Sequence, residues 1–240
     1  MASIIHSRRH LLVGAAGSLL LSVPAFADQR RQAAPGAPGK TTKKTAEAVP
    51  VTATEDLMRE HGVLQRILLI YEAGARRIGQ GEDIDPAVFT QAAETMRDFI
   101  HDYHEKSEED HIFPRFKKAG RMVELVNVLV TQHGAGRRLT ERILAAAPQA
   151  RSREPREAMG RDIQAFIAMY RPHAAREETD LFPTLRHLVT SEQFEEMADE
   201  MEKRERQQFG ADGFEKVAKK VAEVEKVIGI NDLEVFTPKS

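Results

Sequence analysis

The sequence predicts an all-α protein: an antiparallel up-down-up-down four-helix bundle made from a duplicated helical hairpin, followed by extra C-terminal helices. Three observations predict it. From residue 54 onward apolar residues recur at spacings of three and four, and no stretch alternates with the period of two that a half-buried strand requires. Four such stretches lie between 54 and 190, divided by short breaks that favour antiparallel neighbours. The first two stretches also share a motif with the last two, so one hairpin is present twice.

The elements follow in order. Residues 1–27 are expected to be a signal peptide, because MASIIHSRRH is basic, Leu11 to Val23 is apolar and Pro24-Ala25-Phe26-Ala27 ends in A-x-A. The apolar part is too short to span a bilayer comfortably. Ser7-Arg8-Arg9-His10-Leu11-Leu12 resembles the bacterial twin-arginine signal. That resemblance implies a periplasmic or secreted protein, exported already folded, with no membrane span in the mature chain. Residues 28–50 mix Pro, Gly, Ala and Lys without periodicity and read as a flexible linker.

Residues 51–190 hold the bundle. The first helix starts at Thr54 as N-cap and aligns Leu57, His61, Leu64, Leu68 and Tyr71. The second runs from Pro86 to about Ala119 with Ala93, Met96, Ile100, His104 and Glu108 in register. The third spans Arg121 to Ala147 with Val126, Val130, His133, Arg137 and Leu144. The fourth aligns Ile163, Phe166, Tyr170, His173, Glu177 and Leu188. This is the inner seam of a bundle. Residues 191–240 form a C-terminal helical extension, which could cap the bundle, pair with another subunit or bind a partner.

Composition narrows the chemistry. Among 240 residues there is no Cys, which excludes a disulfide scaffold, thiolate zinc sites, iron–sulfur clusters and a cysteine nucleophile. There is no Trp, and a net charge of −2 gives no reason to expect a nucleic-acid partner. Phosphate loops, Ser/His/Asp arrangements and DNA-reading elements are missing as well.

What remains unexplained by a plain core is its polar members. Past residue 27 the histidines are His61, His101, His104, His111, His133, His173 and His187, and His61, His104, His133 and His173 lie on the inner stripes, one per helix. Burying an ionisable side chain costs several kcal/mol unless it is paired or ligates a metal. His104 with Glu108, and His173 with Glu177, are four apart, so each pair can reach one ion from one helix face. One such spacing is common by chance in so acidic a chain, and His101 with Glu105 is just such an extra pair. The repeat makes the signal specific: HEKSEEDHIFP from His104 and HAAREETDLFP from His173 both read H-x-x-x-E-E-x-x-x-F-P. Upstream, Glu60-His61-Gly62 matches Gln132-His133-Gly134. Two-fold pseudosymmetry then places four imidazoles and two carboxylates about one centre.

With these motifs, residues 54–190 resemble the hemerythrin-like (HHE cation-binding) family. The resemblance implies a four-helix bundle holding two non-haem iron ions, bridged by two carboxylates and an oxo or hydroxo group. By position, His61, His104, His133 and His173 would be terminal ligands, and Glu108 and Glu177 the bridges. Imidazole and carboxylate donors agree with iron among other metals. Oxygen-carrying hemerythrins have a second His where this chain has Arg137, and an Asp at a longer spacing where this chain has Glu177. The likeness is closer to hemerythrin-like proteins that sense iron or oxygen or handle peroxide or nitric oxide. Arg137 cannot itself be a ligand, but its guanidinium could stabilise anionic oxygen species. His101 and Tyr170, each three residues before a paired His, could hydrogen-bond a bound oxygen species or take the coordination place left by the missing His. Glu109 and Glu178 point off the ligand face, where a solvated place or a contact behind the ligands is expected in preference to ligation, and His111 and His187 read as surface residues.

The expected function is therefore a periplasmic diiron protein that binds or reductively detoxifies oxygen, peroxide or nitric oxide, with a possible peroxide- or nitric-oxide-consuming activity. The alternative is an iron-binding, storage or sensing module without turnover. The expected partner is a small diatomic or peroxide ligand, with the C-terminal helices open to an oligomer or protein partner.

Overall fold

The computed structural model describes residues 51–239, so the expected signal at 1–27 and linker at 28–50 lie outside the described residues. From Thr52 onward the chain is one helical unit. Helix α1 (Ala53–Gly79) begins with a capping box in which Thr52 accepts from the Glu55 N–H and Glu55 accepts from the Thr52 N–H. The N-cap is thus Thr52 and not Thr54. Thr52 has a glutamate three residues on to close the box, whereas Thr54 has Leu57 there and lies buried in the first turn.

Helix α2 (87–119) ends at Gly120, whose φ of 61° is the left-handed conformation that glycine adopts without steric cost. Helix α3 (Val123–Ala146) follows. A 3₁₀ turn at Ala147–Gln149 leads into helix α4 (153–185). In the bundle α1 packs against α2 and α4, and α3 packs against the same two, which is the up-down-up-down square expected from the short connections. The buried side of α3 is turned from the expected stripe: Val126 and His133 are buried, but Leu129, Gly136 and Ile143 are buried where Val130 is exposed and Arg137 and Leu144 are only partly buried. At about 100° per residue, Val126, Leu129, His133, Gly136 and Thr140 cluster on one side, with Val130 about 90° away.

Helices α2 and α4 are not α-helical throughout. Around the repeated motif the backbone widens to π-type bonding, in which the Phe113 N–H reaches the Glu108 carbonyl and the Phe182 N–H reaches the Glu177 carbonyl. The cause lies in the sequence. Pro114 and Pro183 have no N–H to donate and would press on the carbonyls of Asp110 and Thr179 in a regular helix. One extra residue in the turn relieves that clash and keeps the helix continuous. A further π segment, Met96–His104, turns both His101 and His104 inward.

Helices α5 (Ser191–Phe209) and α6 (Gly213–Ile228) settle the place of the C-terminal extension: α5 packs on α1, and α6 lies along α1 and α2. Arg66 on α1 holds Glu225 on α6 through Nε at 2.8 Å and Nη2 at 2.6 Å, and Arg77 donates to the Ile228 carbonyl at 2.8 Å. Val217, Val221, Val224 and Ile228 join the same core as Leu64, Ile67 and Tyr71. A second core gathers Leu57, Phe113, Phe116, Leu129, Phe182 and Leu185. The polar members of the stripes form a layer between the two. Among the described residues no helix is long and apolar enough to cross a membrane.

Candidate metal centre

Each helix of the square contributes to that layer: His61 from α1, His104 and Glu108 from α2, His133 from α3, His173 and Glu177 from α4. All six are at most 3% exposed. Their arrangement is reciprocal. Glu108 turns Oε1 toward His104 Nε2 at 3.8 Å and Oε2 toward His133 Nε2 at 3.5 Å. Glu177 turns Oε1 toward His173 Nε2 at 3.2 Å and Oε2 toward His61 Nε2 at 3.3 Å. The imidazoles pair across helices, with ring centroids 4.7 Å apart for His61 and His104 and 5.0 Å for His133 and His173. Each carboxylate therefore offers one oxygen to each imidazole pair.

These contacts are not hydrogen bonds. Both oxygens of Glu108, both of Glu177, and Nε2 of His61 and His133 are buried without a hydrogen-bond partner. Orphaned buried groups of this kind cost about 1–3 kcal/mol each or more. Two donors on one ion at about 2.1 Å each stand about 3 Å apart at a right angle. The observed separations are of that size, and His61, His104 and Glu108, like His133, His173 and Glu177, bring ligand atoms within 4.8 Å of one another. The His and Glu clusters fit a metal-binding site.

The outer nitrogens are held from behind. Nδ1 of His61 meets Glu178 at 3.0 Å, that of His133 meets Glu109 at 3.0 Å, that of His104 meets Glu60 at 2.7 Å and that of His173 meets Gln132 at 2.8 Å. An acceptor on Nδ1 keeps a proton there, so Nε2 is the nitrogen that would face a metal. Phe182 stacks on His61 and Phe113 on His133, at 5.7 and 5.5 Å, so the phenylalanines of the repeat wall the centre on the side of the second core.

The electrostatics follow from burial. Burial and the neighbouring Glu177 charge push the Glu108 carboxyl up. Glu177 is held below the usual carboxylate range, because His173 and His61 outweigh its burial. Burial pulls against the charge on His61, yet Glu177 and Glu178 raise it to about 9. Burial and the charge of His61 push His104 well down. Protons here stand where cations would otherwise balance the carboxylates.

The hemerythrin HHE cation-binding domain matches residues 52–185 of this chain. The chain belongs to that family. Uncharacterized proteins of Mycobacterium bovis and Mycobacterium tuberculosis are 45% identical to it over 239 residues, covering 96% of this chain and 91% of theirs. No solved structure matches it.

Within this hemerythrin domain the three flanking residues singled out from sequence have other occupations. His101 uses both ring nitrogens, Nδ1 with Glu105 at 3.0 Å and Nε2 with Thr140 at 2.8 Å. Tyr170 donates its hydroxyl to Glu105 Oε1 at 2.7 Å. Arg137 Nη2 lies 3.0 Å from Glu105 Oε2 and 2.8 Å from Glu109 Oε1. An ionised, buried Glu105 gathers all three. His101 and His133, with Tyr170, outweigh its burial and keep its carboxyl low. The spacing of His101 and Glu105 is thus a buried pair and not a chance one. His187 is exposed as expected, and His111 is half-buried. Glu60 and Gln132, which the repeat aligns immediately before His61 and His133, are partners of the imidazoles that the sequence does not point to. Their reach crosses to the neighbouring helix, which spacing along one helix does not reveal.

Proposed function

We propose that this hemerythrin-domain protein is exported, holds two non-haem irons, and binds oxygen, peroxide or nitric oxide or removes them by reduction. The single observation that carries the reading is the reciprocal geometry, in which each of two buried carboxylates divides its oxygens between two imidazole pairs. His61 and His104 would hold one iron, His133 and His173 the other, and Glu108 and Glu177 would bridge them. When bound, the iron pair supplies electrons and coordination places for a small ligand.

The chain's own contribution is positional. Glu60, Glu109, Glu178 and Gln132 orient the imidazoles from behind, and the two apolar cores keep bulk water from the layer. The absence of thiolates favours an N/O centre. Export is supported by the basic, apolar and A-x-A order of residues 1–27.

Iron per purified chain tests the centre, with two expected and none refuting it. Repeated additions of oxygen, hydrogen peroxide or nitric oxide to the protein supplied with an excess of an external electron donor, against a protein-free control, then test removal. Consumption beyond what the two electrons of one reduced iron pair can reduce supports turnover, and reversible uptake without consumption reduces the function to binding. Fractionation of a bacterial host tests export: the full chain should reach the periplasm, and Arg8→Lys with Arg9→Lys should remain inside.

A further inference from the structure

The seam between α1 and α4 holds a groove of about 720 Å³, a volume within the range of small-molecule sites. Small residues open it. Ala75 and Gly79 stand one turn apart on α1, and Ala168 lines the opposite wall on α4. A Cβ on Gly79 would meet nothing within 4 Å. Helices α5 and α6, which pack on other sides of the bundle, contribute no residue to the lining.

Two features give this groove a chemical preference. Pro172 lies inside α4 and has no N–H to return to the Ala168 carbonyl four residues before it, so a backbone acceptor on the wall lacks its regular helical donor. The rim is cationic in a chain of net charge −2. Arg171 is spent on Glu72, with Nη2 2.5 Å from Oε2 across the seam. The Arg76 side chain, in contrast, has no hydrogen bond or ion pair among the described residues. One positive charge is therefore left over beside an apolar surface of Ala75, Ile167 and Pro172.

We propose that this groove binds a small organic anion, a flat acid of one or two rings. Its charged group pairs with Arg76, its body lies on the apolar surface, and a hydroxyl or N–H donates to the Ala168 carbonyl. From Glu72 to Gly79 the lining runs for about 11 Å along α1, the length of two fused rings with a substituent. The inference does not depend on the metals held by the carboxylate–imidazole layer, so either reading can fail without the other.

The probe is 8-anilinonaphthalene-1-sulfonate, a two-ring acid with one N–H, titrated onto the folded full chain and followed by fluorescence. N-phenyl-1-naphthylamine, which has the same body without the charge, is the comparison. The wild type is expected to bind one sulfonate per chain with a dissociation constant of about 10–100 μM, and the uncharged dye about fivefold more weakly. Arg76→Gln should erase that difference. Ala168→Phe, which fills the groove from an exposed position, should abolish saturable binding; if it melts early, Ala168→Leu takes its place. Equal binding of the two dyes by the wild type would overturn the proposal, as would an Arg76→Gln protein that keeps the difference or a folded groove-filling variant that still binds one sulfonate. No saturable binding at all overturns it too. A wild type that sediments as a dimer, and that Ala168→Phe separates, would make the occupant a second copy of the chain and refute the small-anion reading.

Discussion

Replacing Gly136 by alanine sets local preference against tertiary packing, and the two predict opposite signs. Gly136 lies inside α3, where alanine is favoured over glycine by about 1 kcal/mol. In the fold, however, a Cβ at this position would overlap the hydroxyl of Tyr170 and stand 2.6 Å from its Cζ. Tyr170 would have to move, and its hydroxyl would leave Glu105 Oε1. A hydrogen bond to a charged, buried acceptor is worth about 1.5–3 kcal/mol, and overpacking a core costs about 1–3 kcal/mol more. Less the helical gain, Gly136→Ala should destabilise by about 3 kcal/mol. At about 2–4 °C per kcal/mol for a domain of this size, the melting temperature should fall by about 6–12 °C. Thermal unfolding followed by circular dichroism measures it. Gly134→Ala is the control, because a Cβ there meets only Arg138 Nη1 at 3.5 Å, so the helical gain should dominate and stability should rise. A Gly136→Ala protein that melts at or above the wild type would refute the assignment of this glycine to the passage of Tyr170.

Three further outcomes follow from the site. Glu108→Ala and Glu177→Ala should each lose most bound iron and melt lower when loaded, since each removes one oxygen from both imidazole pairs. Metal analysis decides it, with His111→Ala as the neutral control, and a variant that keeps both ions removes that glutamate from the bridge. Gln132→Ala should weaken metal binding by about 10–100-fold, because His173 Nδ1 loses its acceptor; an unchanged dissociation constant would show that the contact does not orient the ring. Metal uptake should release protons at neutral pH, because His61 in the metal-free protein is raised to about 9 and must deprotonate to coordinate. Calorimetry in buffers of different ionisation enthalpy reads that release, which should fade as pH rises through 9, and a buffer-independent heat at neutral pH would contradict it. The linkage has the same sign for the metal-free fold: a raised histidine contributes stability in full below its ordinary 6.5, and that contribution is lost as pH rises through the folded value.

Much is legible in the chain alone. Helical periodicity, the breaks at Gly79–Pro86 and Pro148–Pro155, and the duplicated H-x-x-x-E-E-x-x-x-F-P are properties of the chain read along itself. They suffice to place His61, His104, His133 and His173 on the inner faces, with Glu108 and Glu177 one turn behind two of them, because spacing sets direction around a helix. The prolines of the motif even carry the reason for the π turns, although only the backbone shows where the extra residue is absorbed.

What the tertiary structure alone decided is how side chains on different helices meet. Which oxygen of Glu108 faces His104 and which faces His133 depends on the rotation and approach of α2 and α3. The pairing of Glu60 with His104 and of Gln132 with His173, the gathering of His101, Tyr170 and Arg137 on Glu105, and the docking of α6 through Arg66 and Glu225 are all contacts across helices. Periodicity gives a side chain its face but not its partner. For Arg137 the two differ most: sequence offered its guanidinium to a bound oxygen species, and packing gave it two carboxylates one turn away on a neighbouring helix. A buried carboxylate and a half-buried cation at that range pair with each other before either can serve a ligand.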